Sequence, residues 1–317
     1  MSDISGIHHI TAICGNAQEN LDFYAGLLGM RLVKKSVNQD DPSTYHLFYA
    51  DADGHPGTDL TFFPFRNSPP GRLGYGLGVE IALAIPAGSR EFWLERLGQH
   101  DVTVNGVETR RGEHAITLVD PHGQQLALVE TSDQRLFRAW ERSPVPMDKQ
   151  IVGLHAVRAW ERELGPTTAF LTGPLGFTNF GEEDGWHRFG VGDGGSGKHI
   201  ELREMPGTSR GSWGVGTMHH VAWRVADDET ELAVRERLTA AQRRPTEVID
   251  RFWFHSVYFL EPGGVLFEIA TDGPGFTADE SLEHLGEQLV LPPWLEPHRR
   301  EIEATLPALG APAEVRA

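Results

Sequence analysis

Two pairs of adjacent histidines and one in-strand carboxylate are the residues best placed to do chemistry. His8-His9 lies in GIHHITAI, His219-His220 in TMHHVAWRV, and Glu268 sits in the middle of the apolar run VLFEIA. A carboxylate in such a run is expensive to bury unless something cationic compensates it. Side chains alternate across a strand, so one member of each histidine pair is expected to point into a shared interior. Two imidazoles and one carboxylate form the facial set that holds non-haem Fe(II) and leaves coordination positions open. Plainer readings exist: either histidine pair alone is a polar strand entry, and Glu268 alone is an edge-strand residue facing water. Two pairs at equivalent places, combined with the lone glutamate, favour the metal.

The elements that must position these residues repeat along the chain. Apolar strand openings begin at Gly6, Gly78, Gly153 and Thr217. Each precedes a helix-like stretch: Ala17 to Leu28, Ser89 to Leu97, Pro166 to Leu175 and Asp227 to Ala241. In the first of these, Leu21, Tyr24 and Leu28 share one face and Gly29 is a suitable stop. Each copy then closes on a glycine turn and an apolar strand, as in EPGGVLFEIA, where Pro262 and Gly263 suit the turn. The pattern is four βαβββ units. Aligning the openings puts His9 beside His220 and His8 beside His219, with Ile81 and Ala156 at the His9 position of the middle copies. His155 aligns with His8. Aligning the closings sets Glu268 opposite Phe62, Ala127 and Glu201. Only the first and fourth copies together supply two histidines and a carboxylate. By the same spacing Asp59 is expected to face away from the site.

Charge and cysteine content limit the rest. Lys plus Arg total 28 against 45 Asp plus Glu, a net charge of −17 over 317 residues. That surface repels nucleic acid and anionic membrane, so a polyanion partner is not expected. One cysteine, Cys14, excludes an internal disulfide framework and fits a reducing cytoplasm. The N-terminus lacks a basic region followed by an apolar core, and no run approaches membrane-spanning length.

The motifs HHIT (His8 to Thr11), HHVAW (His219 to Trp223) and PGTDLTFFPF (Pro56 to Phe65), with the Arg251, Tyr258 and Glu268 pattern, carry a resemblance across nearly the whole chain. The sequence resembles the vicinal oxygen chelate superfamily, and within it the glyoxalase-like ring-cleaving dioxygenases of the hydroquinone type. The resemblance implies an α+β fold in which four βαβββ modules pair into two curved, open-barrel sheets. It divides the chain into an N-terminal module pair (1–135), a linker (136–150), a C-terminal module pair (151–272) and an extension (273–317). It implies His9, His220 and Glu268 as metal ligands, in agreement with the alternation argument. It also places Arg251 and Tyr258 beside the metal, where Arg251 would meet developing negative charge and Tyr258 a substrate hydroxyl. A surface arginine and a core tyrosine are the alternative. His8 and His219 would orient the ligands, exchange protons, or merely cap strands.

The activity so implied is Fe(II)-dependent, extradiol-type cleavage of a hydroquinone or catechol, with O2 as co-substrate and Mn(II) as the alternative metal. Two rivals share the fold. A glyoxalase-type isomerase or lyase needs a second carboxylate, which Phe62 does not supply, and an antibiotic-binding protein needs no metal. The middle modules are expected to be scaffold and to contribute contacts in a homo-oligomer. Some of Phe252, Trp253, Phe254 and His255 are expected to line an aromatic pocket, and Glu296 to Leu306 to form a short helix that is either a lid or a satellite.

Overall fold

The computed structural model describes residues 2–313 and contains two strongly curved sheets of eight strands each. The first module comprises β1 (Gly6–Cys14), α1 (Ala17–Leu21), β2 (Arg31–Asn38), β3 (Asp41–Ala50) and β4 (Asp59–Pro64). The second comprises β5 (Leu77–Pro86), α2 (Arg90–Gln99), β6 (Val104–Arg110), β7 (Glu113–Val119) and β8 (Gln125–Thr131). The third has β9 (Gly153–Glu161), α3 (Leu164–Thr172), β10 (Thr178–Glu183), β11 (Trp186–Gly190) and β12 (His199–Glu204). The fourth has β13 (Thr217–Val225), α4 (Asp228–Ala240), β14 (Ile249–Asp250), β15 (His255–Leu260) and β16 (Leu266–Thr271). A last helix, α5, spans Arg299–Thr305.

The first and second modules lie in different sheets, as do the third and fourth. One sheet runs β14-β15-β16-β13-β1-β4-β3-β2, so the fourth module joins the first, and the other runs β10-β11-β12-β9-β5-β8-β7-β6. The division of the chain into an N-terminal and a C-terminal pair is therefore not the division into sheets. Antiparallel pairing of the opening strands makes both joints, β1 with β13 and β5 with β9. The segments linking modules one to two and three to four also meet, through bridges from Pro70 to Val215, Arg72 to Ser212 and Tyr75 to Arg210. These side-by-side linkers send β5 into the opposite sheet from β1.

The helix expected from Ala17 to Leu28 is only partly regular. Asn16 caps it by accepting from the Gln18 and Glu19 N–H groups. From Asp22 to Leu27 the chain then widens into a π-type turn that ends before Gly29, at φ +73°. A Cβ there would meet the Ser143 hydroxyl at 2.5 Å, so the glycine stop is also a packing requirement. Leu21, Tyr24 and Leu28 are all buried as the periodicity requires. The principal core lies between the helices and the outer faces of the two sheets.

The C-terminal segment binds the β2–β3 edge of the first sheet. Fully buried Lys34 donates to the Phe276 carbonyl at 3.0 Å and pairs with Asp279 at 2.6 Å and Glu280 at 2.5 Å. Asp279 also accepts from the Trp253 indole at 3.1 Å, and Ile302 of α5 packs with Val37 and Leu291. The segment is neither lid nor satellite: it buttresses one wall of the cup described next and lines none of its cavity among the described residues.

Candidate metal centre

The first sheet brings His9, His220 and Glu268 together inside its cup. His220 Nε2 lies 2.9 Å and His9 Nε2 3.3 Å from the same oxygen, Glu268 Oε2, and the two ring nitrogens are 3.2 Å apart. All three residues are buried. Although the nitrogens crowd Oε2, no donor reaches it with hydrogen-bond geometry among the described residues. Two ring nitrogens and one carboxylate oxygen thus converge on one buried space, an arrangement that suits a cation and that a core of neutral side chains would avoid. The residues fit a divalent ion held by two histidines and one carboxylate.

The neighbouring histidines explain how the ring nitrogens come to face that space. Simple alternation would turn His8 and His219 away from the cup, but both are bulge residues. Along β1–β13, Ile7 is opposite Trp223 and His9 opposite Ala222, leaving His8 extra; Thr11 is opposite His220 and Ala12 opposite Met218, leaving His219 extra. A bulge re-aims its side chain, and here it brings His8 Nδ1 to 2.9 Å from His9 Nδ1 and His219 Nδ1 to 2.7 Å from His220 Nδ1. Burial, reinforced by the adjacent imidazole, pushes the pKa of His8 and of His219 down to about 3, so both are neutral. His8 Nε2 lies 3.1 Å from the Thr271 carbonyl, which can only accept. His8 therefore carries its hydrogen on Nε2 and accepts on Nδ1; His9 must donate from Nδ1, and its Nε2 lone pair faces Glu268. A histidine ligand fixed through its other nitrogen is the usual outer-shell arrangement at metal sites. Neither His8 nor His219 lines the cavity, which favours orientation over proton exchange.

The carboxylate is held just as firmly. Ser256 donates to Glu268 Oε1 at 2.5 Å, leaving Oε2 for the shared space. Burial alone would raise the Glu268 pKa, but His9 and His220 outweigh it and hold the group well below the usual range. Burial likewise opposes protonation of both His9 and His220; Glu268 reverses this for His9, whereas His220 stays below its ordinary value.

A small cavity opens onto the centre, with Phe48, Phe63, Trp253 and Phe254 as walls. Tyr258 is opposite Glu268 across β15–β16 and therefore shares its face. Burial raises the Tyr258 pKa above its ordinary value, Glu268 adds to the rise and Arg251 opposes it, so the phenol stays protonated and can donate. Arg251 lies over the Tyr258 ring at 5.3 Å and pairs with Asp40 of the β2–β3 turn at 3.0 Å. Both candidates thus border the cavity. Phe252 instead adopts φ +74° and packs against Trp294, and His255 turns out toward α4.

Several cavity residues escaped the sequence reasoning, among them His46, Phe48 and the β2–β3 turn residues Gln39 and Asp40. His46 stacks on Phe48 at 3.8 Å and Phe63 at 4.4 Å, and its Nε2 is 2.8 Å from the Thr61 hydroxyl. Thr61 continues through Thr11, at 2.8 Å, to His220 Nε2 at 2.9 Å. Burial, then the charges of His9 and His220, keeps His46 neutral. The alternation of TYHLFYA, with Tyr45, Leu47 and Tyr49 in the core, was the available signal.

The alignment of the closings and of the second opening is corrected by one residue. Glu268 is opposite Ala222, two residues after His220; the residue opposite Thr11, two after His9, is Thr61. Thr61, not Phe62, is the counterpart of Glu268, while Phe62 packs against Tyr24 in the core. Asp59 therefore shares the Thr61 face instead of pointing away. It is buried without a hydrogen-bond partner on either oxygen among the described residues, and burial pushes its pKa up to about 7.

In the second sheet Glu80, not Ile81, stands at the ligand-histidine position, because it faces Arg158 as His220 faces Thr11. There Glu80 pairs with Arg110 at 2.5 Å, and Glu201 with Arg158 at 2.8 Å and Arg188 at 2.9 Å. Guanidinium groups occupy that cup where the first has an open donor set. His155 is again a bulge residue, as the equivalence with His8 requires.

Comparison with known proteins agrees with this architecture. The family model for the Glyoxalase/Bleomycin resistance protein/Dioxygenase superfamily matches residues 6–128 and 153–269. The chain is 42% identical over 312 residues to the "Putative ring-cleaving dioxygenase MhqO" of Bacillus subtilis, covering 98% of this chain and 97% of that protein. It is 32% identical over 315 residues to the "Chlorohydroquinone/hydroquinone 1,2-dioxygenase" of Sphingobium indicum, covering 96% of each. The crystal structure of a "putative dioxygenase" from Bacillus subtilis superposes with a TM-score of 0.92 at 40% identity, covering 98% of this chain and 99% of that one. Maize glyoxalase I shares the fold, with a TM-score of 0.63 at 15% identity over 84% of this chain and 92% of its own. No helix among the described residues is long and apolar enough to cross a membrane. Module repeat, sheet pairing and family match together make this chain a member of the glyoxalase/bleomycin resistance protein/dioxygenase superfamily.

Proposed function

We propose that this protein is a ring-cleaving dioxygenase that uses Fe(II), held by His9, His220 and Glu268, to open a hydroquinone or catechol beside a hydroxyl-bearing carbon. The observation that carries the reading is the convergence of His9 Nε2, His220 Nε2 and Glu268 Oε2 at the end of an aromatic-walled cavity. The names of the Bacillus and Sphingobium relatives point to the same class. The position equivalent to Glu268 in the first module is Thr61, whose hydroxyl is already engaged by Thr11 and His46. A four-ligand isomerase centre therefore lacks its second carboxylate, and the three-ligand set leaves room for substrate and oxygen.

Fe(II), when bound, supplies a Lewis acid for the phenolic oxygen and an electron relay between ring and O2. The chain's own groups do the rest. Phe48, Phe63, Trp253 and Phe254 bind the ring and exclude water. The Tyr258 hydroxyl donates to a substrate oxygen, and Arg251 stabilises negative charge that grows during oxygen insertion. His8 holds the His9 tautomer, and His219 contacts His220 through Nδ1. Both atoms of O2 enter the ring-opened product, so one O2 disappears per ring. Anaerobic loading with Fe(II), followed by oxygen-uptake assays with a panel of hydroquinones and catechols, should show that stoichiometry. A fully metallated protein that consumes no oxygen with any phenol would refute the proposal.

A further inference from the structure

A second group of ligating side chains lies outside the cup, at the start of α4. Asp227 caps that helix by accepting from the Thr230 N–H, and Asp228 and Glu231 follow in its first turn. Being three residues apart, they share a helix face, and that face meets His255 at the start of β15. One oxygen of Asp228, one of Glu231 and one ring nitrogen of His255 lie within 4.8 Å of one another. His255 Nδ1 is 2.7 Å from Asp228, while its Nε2 faces Asp250 at 3.9 Å. An imidazole with one nitrogen toward two carboxylates and the other toward a third carboxylate has the form of a metal ligand with its outer partner.

Acidic residues in a first turn are ordinarily explained by the helix dipole. That explanation serves exposed Asp228 but not Glu231, which is fully buried and has no hydrogen-bond partner on either oxygen among the described residues. Burying an unpaired carboxylate costs more than the dipole returns. A proton or a cation must compensate. Burial raises the Glu231 pKa only to about 7, with His255 opposing the rise, so a proton does so incompletely in neutral solution.

We propose that Asp228, Glu231 and His255 form a second cation site, separate from the central one, that takes a divalent transition ion of the Zn(II) type. One imidazole and two carboxylates suit such an ion, with water completing its shell. The ion clamps α4 to β15. The residue after His255 is Ser256, whose hydroxyl fixes Glu268 Oε1, and the His255 N–H donates to Thr271 Oγ1 at 3.0 Å. The outer ion thus holds the strand that positions the central carboxylate and touches neither substrate nor the central metal.

The test is Zn(II) binding by the chelator-stripped full-length protein, followed by calorimetry and elemental analysis. Wild type should bind two ions per chain. The His9→Ala/His220→Ala variant should retain one, and adding Glu231→Gln or His255→Gln to it should remove that one. Glu231→Gln alone should bind one ion, at the centre. Circular dichroism confirms that each variant is folded. No zinc in the His9→Ala/His220→Ala variant, or zinc there that survives both outer substitutions, would overturn the proposal. Failure of the central reading has a different signature, a zinc count unaffected by the His9→Ala/His220→Ala change.

Discussion

Replacing His8 with phenylalanine tests the claim that an outer imidazole sets the tautomer of a metal ligand. Phenylalanine keeps a ring against Phe254, which lies 5.2 Å from His8, but offers nothing to accept the His9 Nδ1 hydrogen. His9 then either buries an unpaired N–H, at about 1–3 kcal/mol, or shifts that hydrogen to Nε2, where it blocks the ion. Either route draws on metal affinity, and 1–3 kcal/mol corresponds to roughly 5- to 150-fold, in line with the 10–100-fold typical of outer-shell losses. His8→Gln restores an acceptor and should recover part of the affinity. Fe(II) affinity is measured anaerobically by competition with a chromogenic chelator, and turnover separately at saturating Fe(II). The expected result is weakened binding with turnover largely restored by excess metal. Unchanged affinity with turnover lost at saturating metal would refute the orienting role and assign His8 to proton transfer.

Three further outcomes follow from the same geometry. Tyr258→Phe should raise KM for the phenolic substrate several-fold while leaving Fe(II) affinity intact, the loss of about one hydrogen bond; steady-state kinetics and chelator competition check both. Lys34→Met strands Asp279 and Glu280 without their buried cation and should cost about 3–5 kcal/mol in urea unfolding, whereas a midpoint within experimental error of wild type would contradict the buttress. Glu161 is fully buried beside the acidic Glu261, and burial, reinforced by that charge, pushes its pKa up to about 9. An acid raised on folding favours the folded state below its unfolded pKa, and that advantage is lost as pH rises. Stability should therefore decline between about pH 4.5 and pH 9, and Glu161→Gln should flatten the decline; a parallel decline in the variant would contradict this.

Much of this architecture is legible in the sequence because burial imposes period and repetition. Four apolar openings and four glycine-turn closings give the modules, and His9, His220 and Glu268 stand out because charged or polar groups inside apolar strands need a reason. Less local features are hidden. A bulge leaves no fixed mark in composition, so His8 and His219 read as facing away although each reaches its neighbour's Nδ1. A one-residue register error exchanged Thr61 for Phe62, reversed the expected facing of Asp59 and concealed Glu80, because the side-chain period of a strand is two. The joining of the first module to the fourth depends on linkers that meet only in three dimensions. His46 went unnoticed because a single histidine in an aromatic strand is usually a packing residue.

Anomalous diffraction at the iron edge, from crystals grown anaerobically with Fe(II), tests the central claim most directly. The account predicts a strong peak within coordination distance of His9 Nε2, His220 Nε2 and Glu268 Oε2 together, lost in His220→Ala crystals grown the same way. An iron peak elsewhere, or none between these three residues in fully loaded protein, would contradict it.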